Sequence, residues 1–286
     1  MHLLLPRTRY FLVFAIALLC FQSCAFRRVS RHKNITYLEA SGRKAEQKLN
    51  VFAPHHHQPL KPVLIYLYGG NWTSGHRSLY NFFGSRWARK GVVTVVVDYP
   101  KSPDAQYFEM ATDVAKATKW VKENIQRYGG DPDQIFISGH SAGGHLAALV
   151  STDNQFFAQQ NLTSPLKGTI LIDAAGLDMY GYLKEVDHGP QGSYLNIFSN
   201  KPQTWKAASP LYQLRPGIKP MLIYQGGRTY PSIITSNQKF VAALKTAGYQ
   251  PEYHILKKKK HIPMITQFFN TRNKRYSEIK SFMQAK

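Results

Sequence analysis

The chain has 286 residues and carries 37 Lys and Arg against 16 Asp and Glu, for a formal net charge of +21. That length buries a full core in one large α/β domain. Its two cysteines, Cys20 and Cys24, both precede the body, which excludes a disulfide framework or a thiolate metal site there. The positive charge is scattered instead of gathered into one stripe, which argues against a nucleic-acid partner.

Arg7 and Arg9 precede an apolar run at 10–21, "YFLVFAIALLCF". The run is short of the roughly 20 residues that span a bilayer but has the length of a signal-peptide core. Small Ser23 stands directly before Cys24, in a stretch that resembles a bacterial lipoprotein cleavage site, so residues 1–24 are expected to direct export and Cys24 to be lipidated. Residues 25–34 follow as a basic tether. Beside anionic headgroups each of its cations is worth about 1 kcal/mol, and a merely solvated tether is the alternative. An exported, membrane-anchored domain over 35–286 is the expectation, its oligomeric state open.

"ITYLEA" (35–40) and "QKLNVFAP" (47–54) read as a β-hairpin. The "HHH" at 55–57 is a poor metal site, because adjacent side chains on an extended loop point alternately. "VLIYLYGG" (63–70) and "VVTVVVDYP" (92–100) are near-continuous apolar strands, the pattern of a sheet covered on both faces. Met110, Val114, Ala117, Val121 and Ile125 recur at helical spacing within 105–128. "IFISGHS" is a strand and "AGGHLAALVST" a helix. "GTILIDAAG" (168–176), "PMLIYQGG" (220–227) and "EYHILK" (252–257) are further strands. A helix is predicted over 236–248 with Ser236 as its N-cap, and a last one over 273–283. Strands alternating with helices predict a mostly parallel sheet.

"GHSAGGH" (139–145) then gains meaning from its place between a strand and a helix. A serine on that sharp turn presents its Oγ above the sheet, with Gly139 and Gly143 making room and Ala142 offering an N–H to an oxyanion. "YGGNW" (68–72) follows the earlier strand and is placed to bring further backbone donors to the same negative charge.

These segments together resemble the α/β-hydrolase fold, in particular carboxylesterases related to hormone-sensitive lipase and to bacterial feruloyl esterase-like proteins. "LNVFAP", "PVLIYLYGGNWTSG", "GGDPDQIFISGHSAGGHLAAL", "WKAASPL" and "FVAALKTAG" occur in the order those families show. The resemblance implies Ser141 as nucleophile and His261, in "KKKKHIPM", as base. It also implies oxyanion donors at Gly70, Asn71 and Ala142, and no cofactor. Tyr68 replaces the usual histidine of the family's glycine loop, and Asn71 its last glycine.

The acid departs from the pattern. Those families place it after the strand equivalent to 220–226, but "GGRTYPS" puts Thr229 there. Glu252 opens the last strand and, at about 3.3 Å per residue, lies too far from His261. Some lipases of this fold carry the acid one strand earlier. That makes Asp178 a tentative acid, and equally a carboxylate that orders a loop or lines a pocket. Asp98, Asp113 and Asp131 read as structural. The expected activity is cleavage of a small acyl ester through a Ser141 acyl-enzyme. An arylformamidase- or peptidase-like hydrolase stays open, as does a hydrolase-fold protein that binds a ligand without turnover.

Overall fold

The computed structural model describes residues 28–42, 45–55, 58–185 and 193–285. The export segment, Cys24, His56 and His57 lie outside them. The apolar runs form the strands β1 (Val29–Leu38), β2 (Gln47–Pro54), β3 (Lys61–Leu67), β4 (Val93–Val97), β5 (Gly130–His140), β6 (Leu166–Ile172), β7 (Met221–Gly226) and β8 (Glu252–Leu256). They make one sheet in the order β1-β2-β4-β3-β5-β6-β7-β8. Only β2 runs against its neighbours. The ladders from β4 through β8 are parallel.

Parallel strands need crossovers, and helices supply them. They are α1 (Asn81–Ala88), α2 (Tyr107–Asn124), α3 (Ala142–Thr152), α4 (Gln155–Ala158), α5 (Met179–Glu185), α6 (Ser193–Phe198), α7 (Pro202–Ala207), α8 (Pro231–Thr246), α9 (His261–Thr266) and α10 (Arg275–Gln284). The two-residue period of the strands decides which face each covers. Tyr66 of β3 stacks at 4.1 Å on Phe83 of α1. Leu64 on the same face pairs with Phe136, whose ring meets Phe282 of α10 at 6.2 Å. Helices α1 and α10 therefore share one face, joined by Trp87 against Tyr276 at 4.8 Å. Val63 points the other way, toward Ile125 at the end of α2. All five residues of β4 are buried, as coverage on both faces requires.

Two expectations change. A tether is expected over 25–34, yet Val29–Asn34 belong to β1, where Val29 pairs with Pro54 and His32 with Val51. A polar, basic run on an edge strand looks like a solvated tail until its ladder partner is known. The helix expected to start at Ser236 starts five residues earlier, at Pro231, a residue whose missing N–H costs nothing in the first turn. Ser236 is buried within α8 and donates to the Ile233 carbonyl, so it caps nothing.

Candidate active site

Strand β5 runs into α3 at Ser141, whose φ of 55° lies in the left-handed region. Such backbone costs a non-glycine residue about 1–3 kcal/mol, and the surrounding structure holds it. Neighbouring glycines are obligatory. A Cβ at Gly139 would meet the Gly143 carbonyl oxygen at 2.2 Å, and one at Gly143 the Leu67 oxygen at 2.2 Å. The turn is closed from outside by Ser141 N–H donating to the Ile172 oxygen at 3.3 Å. Ala142, the residue next to the serine, is buried at the first position of α3.

The second wall is the loop after β3. Gly70 has φ 142°, and a Cβ there would lie 2.1 Å from the Ser74 oxygen, so only glycine fits. Asn71 and Trp72 both take left-handed φ, 53° and 60°, and Thr73 and Ser74 donate back to the Gly70 oxygen. Gly70 and Asn71 line the same cavity as Ser141. The loop is fastened from beneath. Tyr68 donates its hydroxyl to Asp98 at 2.7 Å, and Asp98 also accepts from the Arg77 N–H at 2.8 Å and pairs with its guanidinium. Burial raises the Tyr68 hydroxyl well above the tyrosine range, so it stays a donor. Trp72 donates its indole N–H to His145 Nδ1 at 3.1 Å, and His145 Nε2 donates to the Ala208 oxygen at 2.7 Å. Burial pushes His145 down to about 4, which keeps it a neutral acceptor.

His261 opens α9 beyond β8. Its Nε2 lies 2.9 Å from Ser141 Oγ, and its Nδ1 lies 2.7 Å from Asp173 Oδ2. Asp173 is fully buried, so its charge requires donors. Gly226 N–H donates at 2.7 Å, and Thr229 Oγ1 donates to the oxygen that also receives His261. His140 packs its ring 4.6 Å from that of His261 and donates from Nε2 to the His261 carbonyl at 3.2 Å. Burial, then the nearby His261, push His140 down to about 3, so no second positive charge crowds the site near neutral pH.

Asp178 does not orient His261. Its carboxylate accepts from the Gly181 N–H at 2.8 Å and pairs with Lys239 at 2.9 Å. It orders the start of α5 and lines the cavity. The carboxylate against the histidine comes from the expected strand but from a residue the sequence reading passed over. Asp173 directly follows β6, and the register pairs Ile172 with His140, which brings Asp173 level with Ser141. One signal was present in "GTILID": a charged residue ending a buried parallel strand on the edge where Ser141 ends its own. Thr229, at the position where the resemblance leads one to expect the acid, serves the Asp173 carboxylate through its hydroxyl instead. Glu252 is exposed at the far end of β8, paired with Leu222.

The cavity over Ser141 has a volume of about 1080 Å³. Trp72, Tyr80, Phe82, Tyr182, Tyr194 and Phe269 make much of its wall. Tyr194 also donates to the Asn71 side-chain oxygen at 3.1 Å, tying the helical cap of α5 and α6 to the loop of backbone donors.

The BD-FAE family model matches residues 49–240. Esterase LipQ of Mycobacterium tuberculosis is 33% identical over 195 residues, covering 65% of this chain and 46% of the relative. Isoprenylcysteine alpha-carbonyl methylesterase of Arabidopsis thaliana is 26% identical over 246 residues, covering 79% of this chain and 56% of the relative. The chain thus spans about half the length of the curated relatives it matches. Among solved structures, esterase B of Lactobacillus rhamnosis superposes with a TM-score of 0.74 at 16% identity, over 98% of this chain and 96% of that one. The fold is the α/β-hydrolase fold.

Proposed function

We infer, for a chain that belongs to the BD-FAE family, that it is a serine hydrolase of carboxylic esters. The observation that carries this is the continuous hydrogen-bonded line from Ser141 Oγ through His261 to Asp173, at 2.9 and 2.7 Å. His261 Nε2 accepts the Ser141 proton as Oγ attacks the ester carbonyl, and Asp173 holds the ring with its Nδ1–H turned away from the serine. The N–H groups of Gly70, Asn71 and Ala142 converge on the oxyanion as the tetrahedral intermediate forms, where one such donor is worth about 3–4 kcal/mol. His261 then returns its proton to the departing alcohol. Water, deprotonated by the same nitrogen, releases the acid from the Ser141 acyl-enzyme.

The aromatic wall favours an ester with an apolar or aromatic portion over a highly hydroxylated one. Binding without turnover was an expectation motivated by Thr229 in the acid's usual place. Asp173 beside His261 removes that motive. The finer reading of location is an exported protein lipidated at Cys24, supported by the apolar run at 10–21 and by Ser23. A fatty-acid analogue should label the chain in a Cys24-dependent manner, and labelling that persists in Cys24→Ser would refute it.

The enzymatic reading is tested with a fluorophosphonate and a short p-nitrophenyl ester. Wild type should be labelled and should turn over, while Ser141→Ala should do neither. Labelling that survives Ser141→Ala, or wild type that stays inert to both reagents, would overturn it.

A further inference from the structure

The mouth of the cavity carries large apolar side chains that folding leaves in water. Leu79 is 67% exposed, Tyr230 59%, Ile262 59% and Phe269 52%. All four line the cavity that contains Ser141. They are a large share of the exposed large hydrophobics of the described residues, and they come from three separate segments, around Leu79, Tyr230 and 261–269. Contiguous exposed apolar surface rimmed by polar groups marks a contact site.

The polar rim is cationic. Lys257, Lys258 and Lys260 are exposed in the loop from β8 to α9, immediately before His261 and Ile262. Arg228 is exposed two residues before Tyr230, and its N–H donates to the Lys259 oxygen at 2.9 Å, so the two basic segments form one edge. Among the described residues Asp178 is the single acid that lines the cavity, and Lys239 already pairs with it. None of Arg228, Lys257, Lys258 and Lys260 forms an ion pair with another described residue.

We propose that this mouth docks on an anionic lipid surface, so that esters reach Ser141 from an interface. The proposal rests on the ester-hydrolase reading for its purpose, but the docking itself needs no turnover. Charge and hydrophobicity are both required to choose the partner. A soluble acidic polymer satisfies the lysines and leaves Leu79, Ile262 and Phe269 in water, whereas a bilayer interface takes apolar side chains and cations together. The geometry suits that occupant, because the apolar residues ring the opening and the basic edge flanks it.

The test places an environment-sensitive fluorophore on the mouth. In the full chain carrying Cys20→Ser and Cys24→Ser, Ile262→Cys supplies a single thiol, and Glu123→Cys, exposed on α2, supplies the control. Vesicles containing phosphatidylglycerol should blue-shift and brighten the label at Ile262→Cys and leave the label at Glu123→Cys unchanged. Phosphatidylcholine vesicles should do little to either. At about fivefold in partition per lysine, Lys257→Gln, Lys258→Gln and Lys260→Gln together should raise the lipid concentration for half-response by about a hundredfold. A silent label at Ile262→Cys, a response indifferent to lipid charge, or a response to a soluble sulfated polysaccharide but not to vesicles would each overturn the proposal. Because the readout is fluorescence, it stands or falls separately from esterase activity.

Discussion

Ser141 and Asp173 end adjacent strands of one sheet, and both hold left-handed backbone, at φ 55° and 50°. Their supports differ in kind. The turn at Ser141 is made possible by Gly139 and Gly143, two residues to either side. The side chain of Asp173 is held by Gly226, Thr229 and His261, which lie 53, 56 and 88 residues along the chain. The nucleophile thus depends on glycines within its own motif, which clear the Gly143 and Leu67 carbonyls, and the acid on a hydrogen-bonding shell that exists only after β6, β7 and the loop after β8 have assembled. A short-range constraint leaves a motif. A long-range one leaves a carboxylate wherever the shell can receive it, here directly after β6.

Breaking either end should separate the two kinds of support. The largest effect is expected at the serine: Ser141→Ala should lower kcat on a p-nitrophenyl ester by about 10⁵–10⁶-fold, with folding preserved by circular dichroism. Asp173→Asn should lower kcat by about 10⁴-fold with KM little changed, since the bond matters chiefly while imidazolium forms. Thr229→Val removes a donor to a charged, buried oxygen, a loss of about 1.5–3 kcal/mol, and should slow turnover by about ten- to a hundredfold. Thr229→Asp supplies the aspartate that the resemblance leads one to expect there, yet should also slow the enzyme, because it sets a second carboxylate against Asp173.

Acid should act on stability through the two buried histidines. Folded His140 and His145 are pushed down to about 3 and about 4, below the ordinary value of 6.5. Unfolded chain therefore binds more protons than folded chain below pH 6.5, and stability falls as pH drops from 6.5 toward 4. At pH 5 each histidine should account for about 2 kcal/mol relative to pH 7. Urea unfolding at the two pH values checks this, and a flat profile would contradict it. The smallest effect is expected from Asp178→Asn, which leaves kcat within about threefold because that side chain meets Lys239 and Gly181 instead of His261.

Much of the sheet was legible because its strands are buried on both faces and so read as apolar runs, as in "VVTVVV" of β4. The elbow was legible for the reason just given. Strand β1 was cut short because "VSRHKN" on an edge has no apolar face to announce it, and its identity comes from pairing with β2. Asp173 was hidden inside a run counted as strand through Ile172 and beyond. The alignment of Asp173 with Ser141 follows from ladder register, which one strand's residues do not encode. Tyr68 looked like a departure from the family's glycine loop. Its hydroxyl on Asp98 shows how a different ring fastens the same loop.

The central claim is that Asp173, rather than Asp178, holds the Nδ1–H of His261. Low-field proton NMR observes that proton directly when a strong bond to a carboxylate shields it from exchange. Wild type and Asp178→Asn should both show the resonance, and Asp173→Asn should lose it. A resonance that persists in Asp173→Asn and vanishes in Asp178→Asn would contradict the account.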